Sequence, residues 1–283
     1  MPDTFIYAFL AILGLIIGSF LNVVILRFGY TESRESRSHC MACNTAISSY
    51  DLIPLLSFLW LSAKCRSCGS KLSLQYPFVE LLTAFLFVFA YAVTPPLQSL
   101  WSVLSFAALL AFLSSLLVLV VYDLRHTVVP FPMLAALFAS SVAAVIFQSI
   151  GASSVSPLVD GALGGTVLFF FFFAIYGITR GRGMGMGDAY VAASAGVLLG
   201  LVRGIEAVML AFWIGTIIML PFFLLSSVPK RFRHGILSGR VTMKTELPFV
   251  PFIAVGIIVA LMTDISPLAF GTWLAEALWF RDF

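Results

Sequence analysis

Long apolar stretches separated by short polar breaks dominate this chain. Continuous apolar runs, without strand-like alternation, read as helices, and about 20 such residues cross a bilayer's hydrocarbon core. The pattern predicts eight spans, at 4–26, 78–93, 97–122, 131–150, 158–179, 189–203, 205–228 and 250–274, the second and sixth being short. Two longer polar segments remain, Phe28–Pro77 and the basic Pro229–Pro248. The connections around Thr94–Pro96 and Gly151–Pro157 are short and uncharged, and Pro95–Pro96 sets a tight turn. The expected fold is an all-α polytopic membrane protein with about eight transmembrane helices. It divides into a first span at 1–27, a small insert at 28–77 and a helical membrane domain at 78–283. No internal repeat is visible. The first span is too long, and too poor in basic residues before it, for a cleavable signal peptide.

Composition agrees. The chain is 61% hydrophobic and 10% charged, where a soluble domain is about 25% charged. The run Phe169–Phe173 reads as lipid-facing bulk. With eight spans and the N-terminus outside, every Lys and Arg except Arg203 and Arg281 falls on one side, which the positive-inside rule makes cytoplasmic. Both long polar segments lie on that side, so the working face is expected there.

Two acids stand out. Asp123 ends the apolar run Leu97–Tyr122, in VVYDLRHTVVP, and Asp188 ends the glycine loop GRGMGMGD and opens the next run. An ionisable group at membrane depth is costly and marks a functional site by default. Two carboxylates at matching depth suit a pair that shares a proton and activates water against an amide carbonyl. Gly181, Gly183, Gly185 and Gly187 would let an extended peptide lie against Asp188, whereas a flexible turn is the plainer reading. No strand precedes this loop, so it does not fit a dinucleotide fold. Glu80, opening the second span, suits a supporting role or a helix N-terminal carboxylate. Asp160 suits a helix cap and His126 an interfacial residue.

All four cysteines fall in the insert, as Cys40-x2-Cys43 and Cys65-x2-Cys68 with 21 residues between. Two such turns close a tetrahedral thiolate shell around zinc, with no open position for water, so the metal is expected to be structural. An insert this small has little core of its own, and zinc supplies the missing stability.

These strings, in this order, resemble the type IV prepilin peptidases, bacterial GxGD aspartyl proteases. The resemblance runs through GSFLNVVILR (Gly18–Arg27), the paired cysteine turns, DLIPLLSFL (Asp51–Leu59), YPFVELL (Tyr76–Leu82), DLRHTVVP (Asp123–Pro130), GMGMGD (Gly183–Asp188) and LPFVPFIAVG (Leu247–Gly256). It implies that Asp123 and Asp188 are the catalytic pair, in the inner membrane with the active face cytoplasmic. It also implies cleavage of the basic leader of type IV prepilins or type II secretion pseudopilins. Members with the cysteine insert commonly also N-methylate the new terminus from S-adenosylmethionine. The expected partners are these proteins and the bilayer, with no nucleic acid. Departures stand at Gln75 (commonly Arg), Phe131 (Asp or Asn), Tyr190 (Lys) and Val250 (Gly). A peptidase without methyl transfer, a proton-coupled transporter and a zinc-bearing scaffold are the competing readings.

Overall fold

The computed structural model describes residues 3–28, 38–40, 42–94, 96–181, 184–226 and 248–263, with 266, 267 and 269. Among them the regular structure is helical apart from two isolated β-bridges in the insert. The helices are α1 (Asp3–Arg27), α2 (Leu56–Trp60), α3 (Gln75–Val93), α4 (Leu100–His126), α5 (Phe131–Gly151), α6 (Ser156–Thr179), α7 (Met186–Leu199), α8 (Leu201–Ser226) and α9 (Val250–Met262). Pairs close in sequence pack together: α1 on α3, α4 on α5, α6 on α7 and α8 on α9. The basic segment 229–247 lies outside the described residues.

Among the described residues six helices are long and apolar enough to cross a membrane: α1, α3, α4, α5, α6 and α8 as far as Pro221. The expected count of eight spans is not confirmed by these residues. The sequence pattern joins Ala189–Arg203 into one span, but α7 ends at Leu199. Its 14 residues rise only about 21 Å, short of the roughly 30 Å core. Gly200 breaks the run with a φ of +80°, and Asp160 Oδ1 accepts the Leu201 N–H at 3.2 Å to start α8. Asp160 is thus a cap, as its position suggested. The last expected span, 250–274, is described as helix to Met262.

Small residues decide the closest crossings. A Cβ on Gly14 or Gly18 would lie 2.5 Å from the Ala84 Cα or 2.7 Å from the Glu80 Cα, so this G-x-x-x-G pair lets α1 meet α3 backbone to backbone. Gly164 and Gly196 do the same for α6 and α7. Around these contacts lies an apolar core that includes Phe112, Leu116, Leu137, Val191, Ile253 and Ile257. Phe172 belongs to it as well, 1% exposed and ringed by Phe212 and Phe249. The phenylalanine run is thus not all lipid-facing: helical geometry turns one ring inward while Phe170, Phe171 and Phe173 stay exposed.

Candidate active site and metal centre

Asp123 occupies the last turn of α4. The helix stops because Thr127 takes a left-handed φ of 50° and donates its N–H to the Asp123 carbonyl at 2.8 Å. The chain then runs through Val128–Pro130 into α5. Asp188 is the third residue of α7, where its Oδ2 accepts the Gly185 N–H at 3.0 Å and caps the helix. Gly187 explains how the two motifs meet. A Cβ there would lie 2.9 Å from Val129 Cβ, so glycine admits the segment leaving Asp123 against the start of α7.

Both carboxylates are buried, Asp123 at 4% and Asp188 at 6% exposure, and each lies within electrostatic range of the other. The Val250 backbone, at the start of α9, lies beside the Asp123 carboxylate. Asp123 Oδ2 is buried and, among the described residues, has no hydrogen-bond partner. A buried, unpaired carboxylate oxygen is costly and calls for a functional explanation. Gly185 is exposed, and among the described residues a Cβ there would meet only Asp188 Oδ2 at 3.7 Å and the Gly187 nitrogen at 3.9 Å. Packing does not demand glycine there, and the space beside Asp188 stays open. Gly183 lies outside the described residues.

A single added methyl therefore separates the two glycines. Gly187→Ala presses on Val129 beside both aspartates and is expected to cost about 1–3 kcal/mol, with reduced catalysis. Gly185→Ala is expected to fold normally. Thermal unfolding of both variants in detergent checks this, and equal stabilities would refute the packing role of Gly187.

Glu80 is brought elsewhere. It is buried at 6% exposure in the α1–α3 seam, and its Oε2 accepts the Leu55 N–H from the insert at 2.9 Å. It ties the insert to the membrane helices. Two polar partners that sequence reasoning missed complete the seam. Asn22 Nδ2 donates to the Tyr76 carbonyl at 3.1 Å, and Gln75 Nε2 donates to Asn22 Oδ1 at 3.3 Å. An Asn inside an apolar span was the available signal. Two departures from the family pattern also find their places. Val250 offers Asp123 its backbone, which any residue but proline could do. Tyr190 packs on Phe169, ring centroids 5.4 Å apart, and lines an apolar cavity of about 490 Å³ between α5, α6 and α7.

The insert brings its four cysteines together. All four Sγ atoms lie within 4.8 Å of one another, and Cys40 and Cys68 are 3.9 Å apart. A tetrahedral shell with Zn–S bonds of about 2.3 Å needs S···S separations near about 3.8 Å, so the donors fit zinc. The two turns are copies of each other. Asn44 N–H bonds to the Cys40 carbonyl and Gly69 N–H to the Cys65 carbonyl, both at 2.9 Å, with Asn44 and Gly69 at φ 55° and 69°. The Cys40 and Cys65 turns thus repeat each other, closed in turn by the Cys40 N–H on the Thr45 carbonyl and the Cys65 N–H on the Ser70 carbonyl, although no internal repeat was expected. Backbone amides of Ala42 and then Cys43 hold the Cys40 thiol down at about 6, and Ser70 lowers Cys68. Both effects favour the thiolates that a dication requires.

Comparison with known proteins agrees with this arrangement. Residues 12–94 match the Bacterial Peptidase A24 N-terminal domain, and residues 110–224 match the Type IV leader peptidase family. The prepilin leader peptidase/N-methyltransferase of Bacillus subtilis (strain 168) is 32% identical over 265 residues, 92% of this chain and 96% of the relative. The chain belongs to the type IV leader peptidase family. It is therefore an enzyme of a protease family, held in a multi-pass membrane fold. The type 4 prepilin-like proteins leader peptide-processing enzyme of Escherichia coli O78:H11 is 33% identical over 264 residues, covering 86% and 88% of the two chains. The prepilin leader peptidase/N-methyltransferase of Aeromonas salmonicida (strain A449) is 30% identical over 287 residues, 90% of each. No solved structure matches the chain.

Proposed function

We propose that this enzyme removes the basic leader of type IV prepilins or pseudopilins and then N-methylates the new terminus, with Asp123 and Asp188 as its catalytic acids. The observation that carries the reading is the burial of these two carboxylates beside each other at adjoining helix ends, one with an oxygen left unpaired. One ionised aspartate takes a proton from water as it attacks the scissile carbonyl, and its protonated partner donates to the carbonyl oxygen. The pair titrates as a unit, so the roles belong to the pair. The exposed Gly185 leaves room for the substrate backbone beside Asp188. A transporter would carry its acids near span midpoints on broken helices, whereas these lie at helix ends.

The insert 28–77 is read as a structural zinc lobe held by Cys40, Cys43, Cys65 and Cys68, on the cytoplasmic side of the bacterial inner membrane. S-adenosylmethionine would supply the methyl group when bound. The apolar cavity beside Tyr190 does not suit a charged, hydroxyl-rich donor, so no residue is assigned to hold it. Tyr76 lies within electrostatic range of both Cys40 and Arg125. The lobe therefore borders the helix end that bears Asp123, near where a cleaved terminus would emerge.

The test is incubation of purified protein with a prepilin-leader peptide, with and without S-adenosylmethionine, read by mass spectrometry. Loss of the leader, followed by gain of one methyl on the new terminus, is expected. Cleavage without methylation would leave a peptidase alone. Methyl transfer needs an aligned amine and donor rather than a carboxylate pair. Asp123→Asn and Asp188→Asn are therefore expected to methylate a pre-cleaved peptide beginning with Phe; failure there would argue for one shared site.

A further inference from the structure

The segment Tyr50–Trp60 carries an unexplained set of exposed apolar side chains. Leu52, Ile53, Leu56, Leu59 and Trp60 are all exposed, the last two at 69% and 87%, and α2 buries none of its residues. These residues belong to the insert, not to a spanning helix, so lipid contact cannot be assumed for them. In water such a patch is a liability, and on native proteins it marks a contact surface.

The backbone beneath the patch is strained and held. Leu55 has φ 60° and ψ −49°, and the Leu56 N–H bonds back to the Pro54 carbonyl at 2.6 Å, which makes a γ-turn of the rare positive-φ kind. A leucine stays in that region only when its surroundings over-determine it. The determinant is the buried Glu80 carboxylate, which accepts the Leu55 N–H at 2.9 Å. A Cβ on Gly18 of α1 would lie 2.7 Å from the Glu80 Cα, so the clamp sits where insert, α1 and α3 meet.

The clamp fixes the height of the patch. Glu80 is the sixth residue of α3, about 8 Å along a helix that crosses the membrane. Leu55 is one hydrogen bond from it, so α2 sits at the mouth of the span, inside the interfacial layer roughly 5–8 Å deep that flanks the hydrocarbon. The lipid-facing stripe of α3 begins at the same level, with Leu74, Phe78, Leu81 and Phe85 exposed at helical spacing. Trp at such a level prefers the headgroup boundary. Lys64 and Lys71 face each other across the neighbouring β-bridge, both exposed, and among the described residues neither forms an ion pair. Free cations beside an apolar patch suit an anionic headgroup layer.

We infer that Leu52–Trp60 is an interfacial anchor that docks the cysteine-bearing insert onto the phospholipid surface, with Glu80 as the positioning residue that sets its depth. The anchor needs no substrate, so it can be tested apart from the peptidase reading. The full chain carrying Trp101→Phe, Trp213→Phe, Trp273→Phe and Trp279→Phe keeps Trp60 as its only indole. It is reconstituted in vesicles of phosphatidylcholine and phosphatidylglycerol. Trp60 emission is expected to be blue-shifted, strongly quenched by phospholipid brominated near the carbonyl, and poorly quenched by iodide on both sides of the bilayer. Glu80→Gln, which weakens the accepted hydrogen bond with little change of shape, should move emission to the red and raise iodide access. If the fourfold variant does not fold, the Trp60→Phe variant alone should lose a bromolipid-quenched component. Red emission with full iodide access and no bromolipid quenching would overturn the inference. So would a blue shift that appears only when a prepilin peptide is added, because the patch would then be a substrate dock.

Discussion

Asp123→Asn and Asp188→Asn are each expected to lower leader cleavage by at least about 10²-fold, the usual scale for losing a positioned acid or base. Asn keeps the shape of the carboxyl group and can neither accept the water's proton nor give one to the carbonyl. Both variants should insert and purify normally, for separate reasons. At position 123 one side-chain oxygen has no partner among the described residues, so Asn removes no hydrogen bond seen at that atom. At position 188 the side-chain oxygen of Asn can still accept the Gly185 N–H and cap α7. The measurement is the single-turnover cleavage rate of a leader peptide, alongside a melting curve in the same detergent. Near wild-type cleavage by either variant would remove the pair from the mechanism. Lost cleavage with a collapsed melting curve would show a structural role instead.

Cys40→Ser combined with Cys43→Ser is expected to abolish metal binding and unfold the insert while the membrane helices persist. Metal analysis of the wild type should return about one zinc per chain, and the double variant none. Structural zinc contributes roughly 10–16 kcal/mol in small metal-held folds, far more than a lobe of this size gains from its own core. The helical bundle rests on separate packing, including the backbone contacts at Gly14, Gly18, Gly164 and Gly196. The expected pattern is protease sensitivity confined to the insert and methylation harmed at least as much as cleavage. A metal-free wild type with four reduced thiols, an ordered insert and full activity would refute the zinc assignment.

The chain's own letters determined a good deal. Apolar run length and scarce charge fixed an all-helical membrane protein, because continuous apolar runs of about 20 residues suit spanning helices, whose backbone bonds are all internal, rather than the short alternating strands of a barrel. Two C-x2-C turns fixed the chemistry of a thiolate cluster, since their spacing is local. Asp123 and Asp188 were legible as candidates because charge in apolar sequence is rare. What lay beyond the sequence depended on contacts between distant segments. Gly200 looks like one more small residue in a continuous run until Asp160, forty residues earlier, caps the helix that starts beside it. Phe172 is indistinguishable from its four neighbours until α8 and α9 close over it. Val250 reads as a mere departure until packing brings its backbone beside Asp123. Glu80 reads as a helix-start carboxylate until Leu55 donates to it and a strained turn is held in place. In each case the deciding interaction joins residues far apart along the chain, where periodicity and propensity carry no information. Only packing the helices against one another selects the partner.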